Sequence, residues 1–334
     1  MSYTIKDVAK HANCSIATVS RVINNQGGYS EKTKKKILDV IEELGYQPNA
    51  VARGLINKRT QTIGVLVPDL SSMLSSEILS GIESVAHKEN LSVFISHTNT
   101  HGKRTSKYLK LLNEKRIDGL IFTSEYLKDE YLKEMKKMDI PIVLVSTESF
   151  KDSIPYVKVD DRRAAYSATN YLIENGHQDI VMISGPYADP IAGRPRVEGF
   201  KEALDEHSIP VDEANIFCTD GFLFEDGKKA FEELFNQNLN ATAIFAASDE
   251  LAVGVISAAY ERGLTVPDDF SIIGYDNTKT AIMSNPPLTT VSQPLFRMGQ
   301  TSCEMLLQML KDEATVESRI MVHEIIERKT VKKI

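Results

Sequence analysis

Ser15, Thr18, Ser20 and Arg21 stand within seven residues of one another in the stretch "TIKDVAKHANCSIATVSRVIN", residues 4–24. Small hydroxyls approach a phosphate closely, and a guanidinium is long enough to reach a phosphate or the acceptor edge of a guanine. The chemistry open to such a set is recognition of a polyanion. Bond-making chemistry finds no comparable set. The seven histidines show no ligand spacing, and Cys14, Cys218 and Cys303 form no C-x-x-C pair. Neither a disulfide framework nor a cysteine zinc site is expected, and the thiols read as small buried or half-buried side chains. There is no G-x-G-x-x-G after a strand, no P-loop, no G-x-S-x-G elbow and no paired-carboxylate signature, so dinucleotide enzymes, NTPases and α/β-hydrolases lose support. No cofactor and no metal are expected.

The elements that must present the hydroxyls are short. Thr4 with Asp7 makes a Thr-x-x-Asp capping box for a first helix, in which Ile5, Val8, Ala9 and Ala12 share a face. The chain breaks at Asn13-Cys14, and Ser15 caps a second helix running to about Asn24. Its inward contacts fall to Ala17, Val19, Val22 and Ile23, leaving Ile16, Ser20 and Arg21 outside. After "NQGGY", whose two glycines are free to take positive φ, Ser30 caps a third helix with Ile37, Leu38, Ile41 and Leu44 on its core face. Gly45 ends it. Three short helices with a tight turn between the first two make a helix-turn-helix, whose second helix enters the major groove. In "YQPNAVARGLINKRT", residues 46–60, Pro48 suits a first helical turn and Ala50–Leu55 continues it. A helix of that length persists only when something holds it.

The charge distribution agrees. The chain has 334 residues and a net charge of −7, yet residues 1–60 carry ten basic and five acidic side chains, a net +5 that leaves −12 for the rest. A basic head on an acidic body points to a polyanionic partner for the head alone. The length predicts two or three domains. No apolar run approaches the roughly 20 residues of a membrane span, and no signal-peptide pattern opens the chain; an intracellular protein with no membrane partner is expected.

From Thr62 apolar strands alternate with amphipathic helices. Strand candidates are "TIGVLVPD", "LSVFISHT", "DGLIFTS", "IPIVLVS", "QDIVMISG", "TAIFAAS" and "FSIIGYD"; helical stretches are Glu77–Glu89, Asp161–Asn175, Arg196–His207, Asp249–Gly263 and Met298–Lys311. This pattern predicts parallel sheets covered on both faces, in two stacked α/β subdomains. Ligands of open α/β sheets sit beyond the carboxyl ends of strands. That selects Asp69–Ser75, Ser146–Thr147, Gly185 onward, Phe222, Ser248–Asp249 and Asp276. Asp249 reads as a helix N-cap, and Asp276, in the irregular "GYDNT", as a ligand contact.

"TIKDVAKHANCSIATVSRVIN" followed by "GYQPNAVARGLINKRTQTIGVLVPD" closely resembles the LacI/GalR family of bacterial transcription repressors, along the whole chain. The resemblance implies a small all-α helix-turn-helix headpiece (residues 1–46), a hinge helix and linker (47–60), and an α/β periplasmic-binding-protein-like body (61–334) of two doubly wound parallel-sheet subdomains. The first subdomain would take about 61–160 plus 292–322, the second about 161–291 plus 323–334. It places Ile16, Ala17 and Arg21 at base-reading positions. Thr4, Ser15, Ser20, Asn24, Ser30, Thr33, Tyr46 and Asn49 fall at or near phosphate-facing or minor-groove positions. Leu55, with Ala52 one turn before it, matches the leucine that hinge helices wedge into the minor groove. In the cleft the resemblance sets Arg196 on the ligand's hydroxyls with an aspartate opposite, for which Asp276 is the candidate, Phe222 against its ring, and Gln293 facing it; Ser248 joins them by its place at the end of a strand.

After the first body strand the family often carries an aromatic wall. Here the run is Ser72, Met73, Leu74, Ser75, so Leu74 keeps an apolar surface and Ser75 offers a hydroxyl. This leaves open a roomier pocket or a ligand other than a simple monosaccharide. The subgroup of catabolite control proteins is similar in "SIATVSRV" and "NAVARGL" and uses a phosphocarrier protein as co-repressor. Glu304 stands where a basic residue would help that contact and only Arg297 remains, which favours a local operon repressor. The resulting expectation is a cytoplasmic homodimer, on the nucleoid when bound, whose affinity for palindromic double-stranded DNA is set by a small carbohydrate-like effector. A dimer is expected over a tetramer because no leucine heptad follows "HEIIERKTVKKI". The alternatives are a global catabolite regulator, an α/β sugar-acting enzyme with an appended helix-turn-helix, and an exported solute-binding protein, which the basic head opposes.

Overall fold

A computed structural model describes residues 3–23, 26–46, 59–98, 102, 104–237, 241–311 and 316–334. The chain divides into two compact units, Met1–Gln61 and Thr62–Ile334.

In the first unit, α1 (Ile5–His11), α2 (Ile16–Ile23) and α3 (Glu31–Leu44) enclose a core of Val8, Ala9, Ala12, Val19, Val22, Ile37 and Val40. Local chemistry sets each boundary. The Asp7 carboxylate accepts from the Thr4 N–H and hydroxyl at 2.8 and 2.7 Å. Asn13, at φ +48, makes the turn between α1 and α2. The Ser15 hydroxyl accepts the Thr18 N–H at 3.1 Å, and that of Ser30 the Thr33 N–H at 3.2 Å. Gly45, at φ +58, closes α3 in the left-handed region. Two inward assignments are corrected. Ala17 is exposed and Leu38 faces outward, while Val40 takes the core place expected of Leu38. With so few residues per helix, spacing alone leaves the angle of the buried stripe loose by one position.

The second unit holds two six-stranded sheets. The first has the order β11-β5-β4-β3-β1-β2, all parallel, from β1 (Thr62–Val67), β2 (Ser92–His97), β3 (Gly119–Thr123), β4 (Ile142–Val145), β5 (Tyr156–Val159) and β11 (Arg319–Met321). The second has the order β12-β10-β9-β8-β6-β7, from β6 (Ile180–Ser184), β7 (Ile216–Cys218), β8 (Ala243–Ala246), β9 (Ser271–Asp276), β10 (Thr289–Ser292) and β12 (Glu324–Ile326). It is parallel except for the β10–β12 pair at its edge, which is antiparallel. The chain passes to the second sheet after β5, and returns after β10 through a helix packed on the first. It passes over again between β11 and β12.

The helices are α4 (Met73–Lys88), α5 (Thr105–Glu114), α6 (Asp129–Met138), α7 (Asp161–Glu174), α8 (Gly193–Glu206), α9 (Phe224–Asn236), α10 (Asp249–Glu261), α11 (Lys279–Met283) and α12 (Leu295–Leu310). Helices α4, α8 and α12 start three or four residues before the expected points; in α4 the early residues include Ser75 and Ser76, and in α8 Gly193 and Pro195, whose low helix propensity hid the first turn. Strands β5, β7, β10, β11 and β12 were absent from the sequence expectation. A charged Lys158 breaks the apolar run of β5, threonines make β10 read as a turn, and β11 and β12 are short, partly exposed edge strands. Full coverage of both faces fails at edge strand β2, where Phe94 and Ile95 are exposed. Cys218 is likewise exposed, at the end of edge strand β7, where a half-buried thiol was expected.

Candidate functional site

A cavity of about 720 Å³ opens between the two sheets of the second unit, lined by the residues that follow their strands. Its floor is built on Arg196, a helical residue near the start of α8 that is only 6% exposed. Its Nε donates to Asp161 Oδ1 at 2.9 Å, its Nη2 lies 2.8 Å from the same oxygen, and its Nη1 donates to the Ala247 carbonyl at 2.5 Å. The guanidinium carbon sits 3.7 Å from the centroid of the Tyr275 ring and 5.6 Å from that of Phe222. Burial, the largest single influence, would lower the pKa of Arg196, but the charge and hydrogen bond of Asp161 together with Tyr275 and Asp276 outweigh it and raise it above the ordinary value. The fork is therefore permanently charged, and its planar geometry is fixed by ring stacking.

Two more carboxylates are buried beside it. Asp276, the last residue of β9, has φ +116 and accepts from Gln293 Nε2 at 2.7 Å. Asp249 Oδ2 accepts the Thr278 N–H and hydroxyl at 2.7 and 3.0 Å, and its Oδ1 accepts the Thr290 hydroxyl at 2.6 Å. Burial pushes the Asp249 carboxyl up to about 6, and pushes Asp276 well above the carboxylate range with Asp249 adding repulsion. Lys158 reaches in from β5, with Glu148 at 2.8 Å and Asp161 at 4.0 Å.

The geometry gathers Arg196, Phe222, Ser248, Asp276 and Gln293 on one cavity, with Leu74 and Ser75 on the opposite wall. The details differ from expectation. Ser248, not Asp249, is the N-cap of α10; its hydroxyl accepts the Leu251 N–H at 3.0 Å and donates to the Phe222 carbonyl at 2.7 Å. Asp249 instead ties α10 to β10 and to Thr278. Asp276 belongs to a strand, not a loop. Phe222 is half-buried, packed on the core and on Gly185 while facing the cavity. Asp161, Lys158 and Tyr275 were missed. The signal was present, since Asp160-Asp161 opens a helix directly after a strand, but only once β5 is recognised.

In the first unit, Ser15, Ile16, Ala17 and Arg21 are exposed along α2, with Thr18 and Ser20 half-buried between them. Thr4 and Ser30 are exposed at the starts of α1 and α3, and Thr33 and Tyr46 are half-buried. Ser15 and Thr18 hold each other hydroxyl to hydroxyl at 2.9 Å. Asn24, Asn49, Ala52 and Leu55, with the expected hinge helix, lie outside the described residues.

Residues 4–49 match the model of the bacterial regulatory proteins of the lacI family, and residues 60–329 match that of the periplasmic binding proteins and sugar binding domain of the LacI family. The chain belongs to the LacI family. Its relatives include catabolite control protein A of Priestia megaterium, 40% identical over 324 residues and 96% of each chain. Another is the transcriptional repressor PurR of Vibrio parahaemolyticus serotype O3:K6 (strain RIMD 2210633), 37% identical over 340 residues and 99% of each chain. Among solved structures, the Lac repressor dimer bound to operator and the anti-inducer ONPF is similar with a TM-score of 0.88 and 29% identity, covering 99% of this chain and 100% of that one. As a LacI-family chain, then, it carries a DNA-reading head and a ligand-binding body of known kind. On α12, Arg297 is held 3.3 Å from Glu304 and 3.4 Å from Gln300 of the same helix.

Proposed function

We propose that this chain is a sequence-specific repressor that binds a palindromic operator as a homodimer, with its affinity set by a sugar or sugar derivative in the body cleft. The observation that carries the DNA half is the face of α2. Ile16 is 46% exposed beside exposed Ala17 and Arg21 on a basic unit, an arrangement that serves no packing purpose and suits thymine methyls and a guanine or phosphate edge. Thr4, Ser15, Ser20, Asn24, Ser30, Thr33, Tyr46 and Asn49 are proposed to hold backbone and minor groove, and Ala52 and Leu55 to wedge it. Dimerisation is supported by exposed apolar side chains such as Phe94, Ile95, Ile282 and Met283. The chain acts in this reading in the bacterial cytoplasm and catalyses nothing. The pairing of Arg297 with Glu304 favours a local operon repressor over a phosphocarrier-dependent regulator.

Fluorescence anisotropy with palindromic DNA from the protein's own upstream region tests the reading. Removal of the first sixty residues abolishes specific binding, and Leu55→Gly weakens it at least tenfold. Undiminished affinity in either case refutes it.

A further inference from the structure

The cleft is poor in donors that a negatively charged ligand could use. Among the described residues nine carboxylates line it against three cations, Lys128, Lys158 and Arg196. Each cation is already engaged. Arg196 is spent on Asp161 and the Ala247 carbonyl, Lys158 on Glu148, and Lys128 lies 5.5 Å from the centroid of the Tyr131 ring.

Helix N-termini are the usual reserve of anion-binding N–H groups in this kind of fold; at four of those around the cavity a side chain of the protein already holds one or more N–H groups, whereas α6 and α11, which start after Lys128 and Thr278, have no side-chain cap. At α8 the Asp189 carboxylate accepts the N–H groups of Ile191, Ala192 and Gly193 at 2.9, 3.3 and 3.3 Å. Asp226 takes the Leu223 N–H at the start of α9, Ser248 takes that of Leu251 in α10, and Glu250 takes that of Met73 at the start of α4. A phosphate monoester entering here would bring negative charge to a wall rich in acidic side chains, where the cations and four of the helix ends already have internal partners.

What the cleft does offer suits hydroxyls. The Oγ atoms of Ser124 and Ser146 are buried without a hydrogen-bond partner among the described residues, and both serines line the cavity. Both follow central strands of the first sheet, at φ +50 and +52. Turned toward the cavity, each serine hydroxyl can donate to and accept from a ligand hydroxyl, and the Asp276 carboxyl can hydrogen-bond to another. Phe222 and Tyr126 supply ring faces for C–H surfaces, so Tyr126 provides an aromatic wall that the run Ser72–Ser75 lacks. A volume of about 720 Å³ lies in the range of drug-sized ligands, beyond what one pyranose ring fills. Resting on the effector-binding reading above, we propose that the cleft selects an uncharged saccharide of two or more rings and refuses phosphorylated sugars.

The test uses the full chain at neutral pH, in a thermal-shift screen followed by calorimetry, with hexoses, neutral di- and trisaccharides, hexose phosphates and inorganic phosphate. The tightest ligand is a neutral di- or trisaccharide, with hexose phosphates and phosphate at least tenfold weaker. Asp189→Ala, which bares three N–H groups at α8, raises the affinity for inorganic phosphate several-fold. A hexose phosphate or a single hexose binding tightest overturns the selectivity while leaving the cleft an effector site. Phosphate affinity unchanged by Asp189→Ala contradicts the closed-terminus explanation. No response to any class overturns the effector reading and the selectivity together.

Discussion

Arg196 and Asp161 form the charged centre of the cleft, at 6% exposure each. Removing one partner of such a pair leaves the other buried and uncompensated, which costs about 3–5 kcal/mol. Arg196→Met is therefore expected to lose about 3 kcal/mol in urea denaturation. Adding Asp161→Asn recovers part of the loss, so the double variant is more stable than the two single losses predict. Asp249 makes a pH-dependent contribution. Its folded pKa, near 6, lies above the ordinary value of 3.8, so the buried charge costs stability above pH 6. The cost is relieved as pH falls from about 6 toward 4. Asp249→Asn lacks this term, so its stability relative to the unmodified chain falls by about 1 kcal/mol between pH 7 and pH 5. Denaturation curves at the two values check it; parallel losses at both would contradict the assignment.

Helix pairs in the body approach through small residues. A Cβ at Gly81 of α4 would lie 2.0 Å from the Phe296 carbonyl oxygen of α12, and one at Gly299 would lie 2.1 Å from that of Ile78. Backbone cannot yield as a side-chain tip can, so Gly81→Ala is expected to cost about 1–3 kcal/mol, read from the denaturation midpoint. At this scale the sequence was legible where the pattern was uniform. The seven apolar strands and the capped helices α1 to α3 fall where Ser15, Ser30, Gly45 and the hydrophobic runs put them. It was opaque where one residue serves two ends. Lys158 interrupts β5 because it reaches the cleft, and that interruption hid both the strand and Asp161 at its end. Asp249 looked like a cap because a carboxylate at a helix start satisfies the same local rule; only the long-range approach of Thr278 and Thr290 gives it another task. Ala17 was placed inward by spacing, since a small apolar residue on a short helix fits either side.

At the scale of the whole molecule, the proposed repressor works by linkage between the cleft of the second unit and DNA reading by the first. If a ligand binds one state of the body more tightly, it shifts operator affinity, and the operator shifts ligand affinity by the same factor. The family match and the cavity between the two sheets supply the two proposed sites, and equality of the two factors is the property that linkage alone requires. The direct test titrates the full chain with its palindromic operator, with and without the tightest saccharide of the screen. It then titrates that saccharide with and without saturating operator. The account predicts a change of about fivefold or more in each, equal within error. A saccharide that binds the cleft while leaving operator affinity unchanged, or two unequal factors, would contradict it.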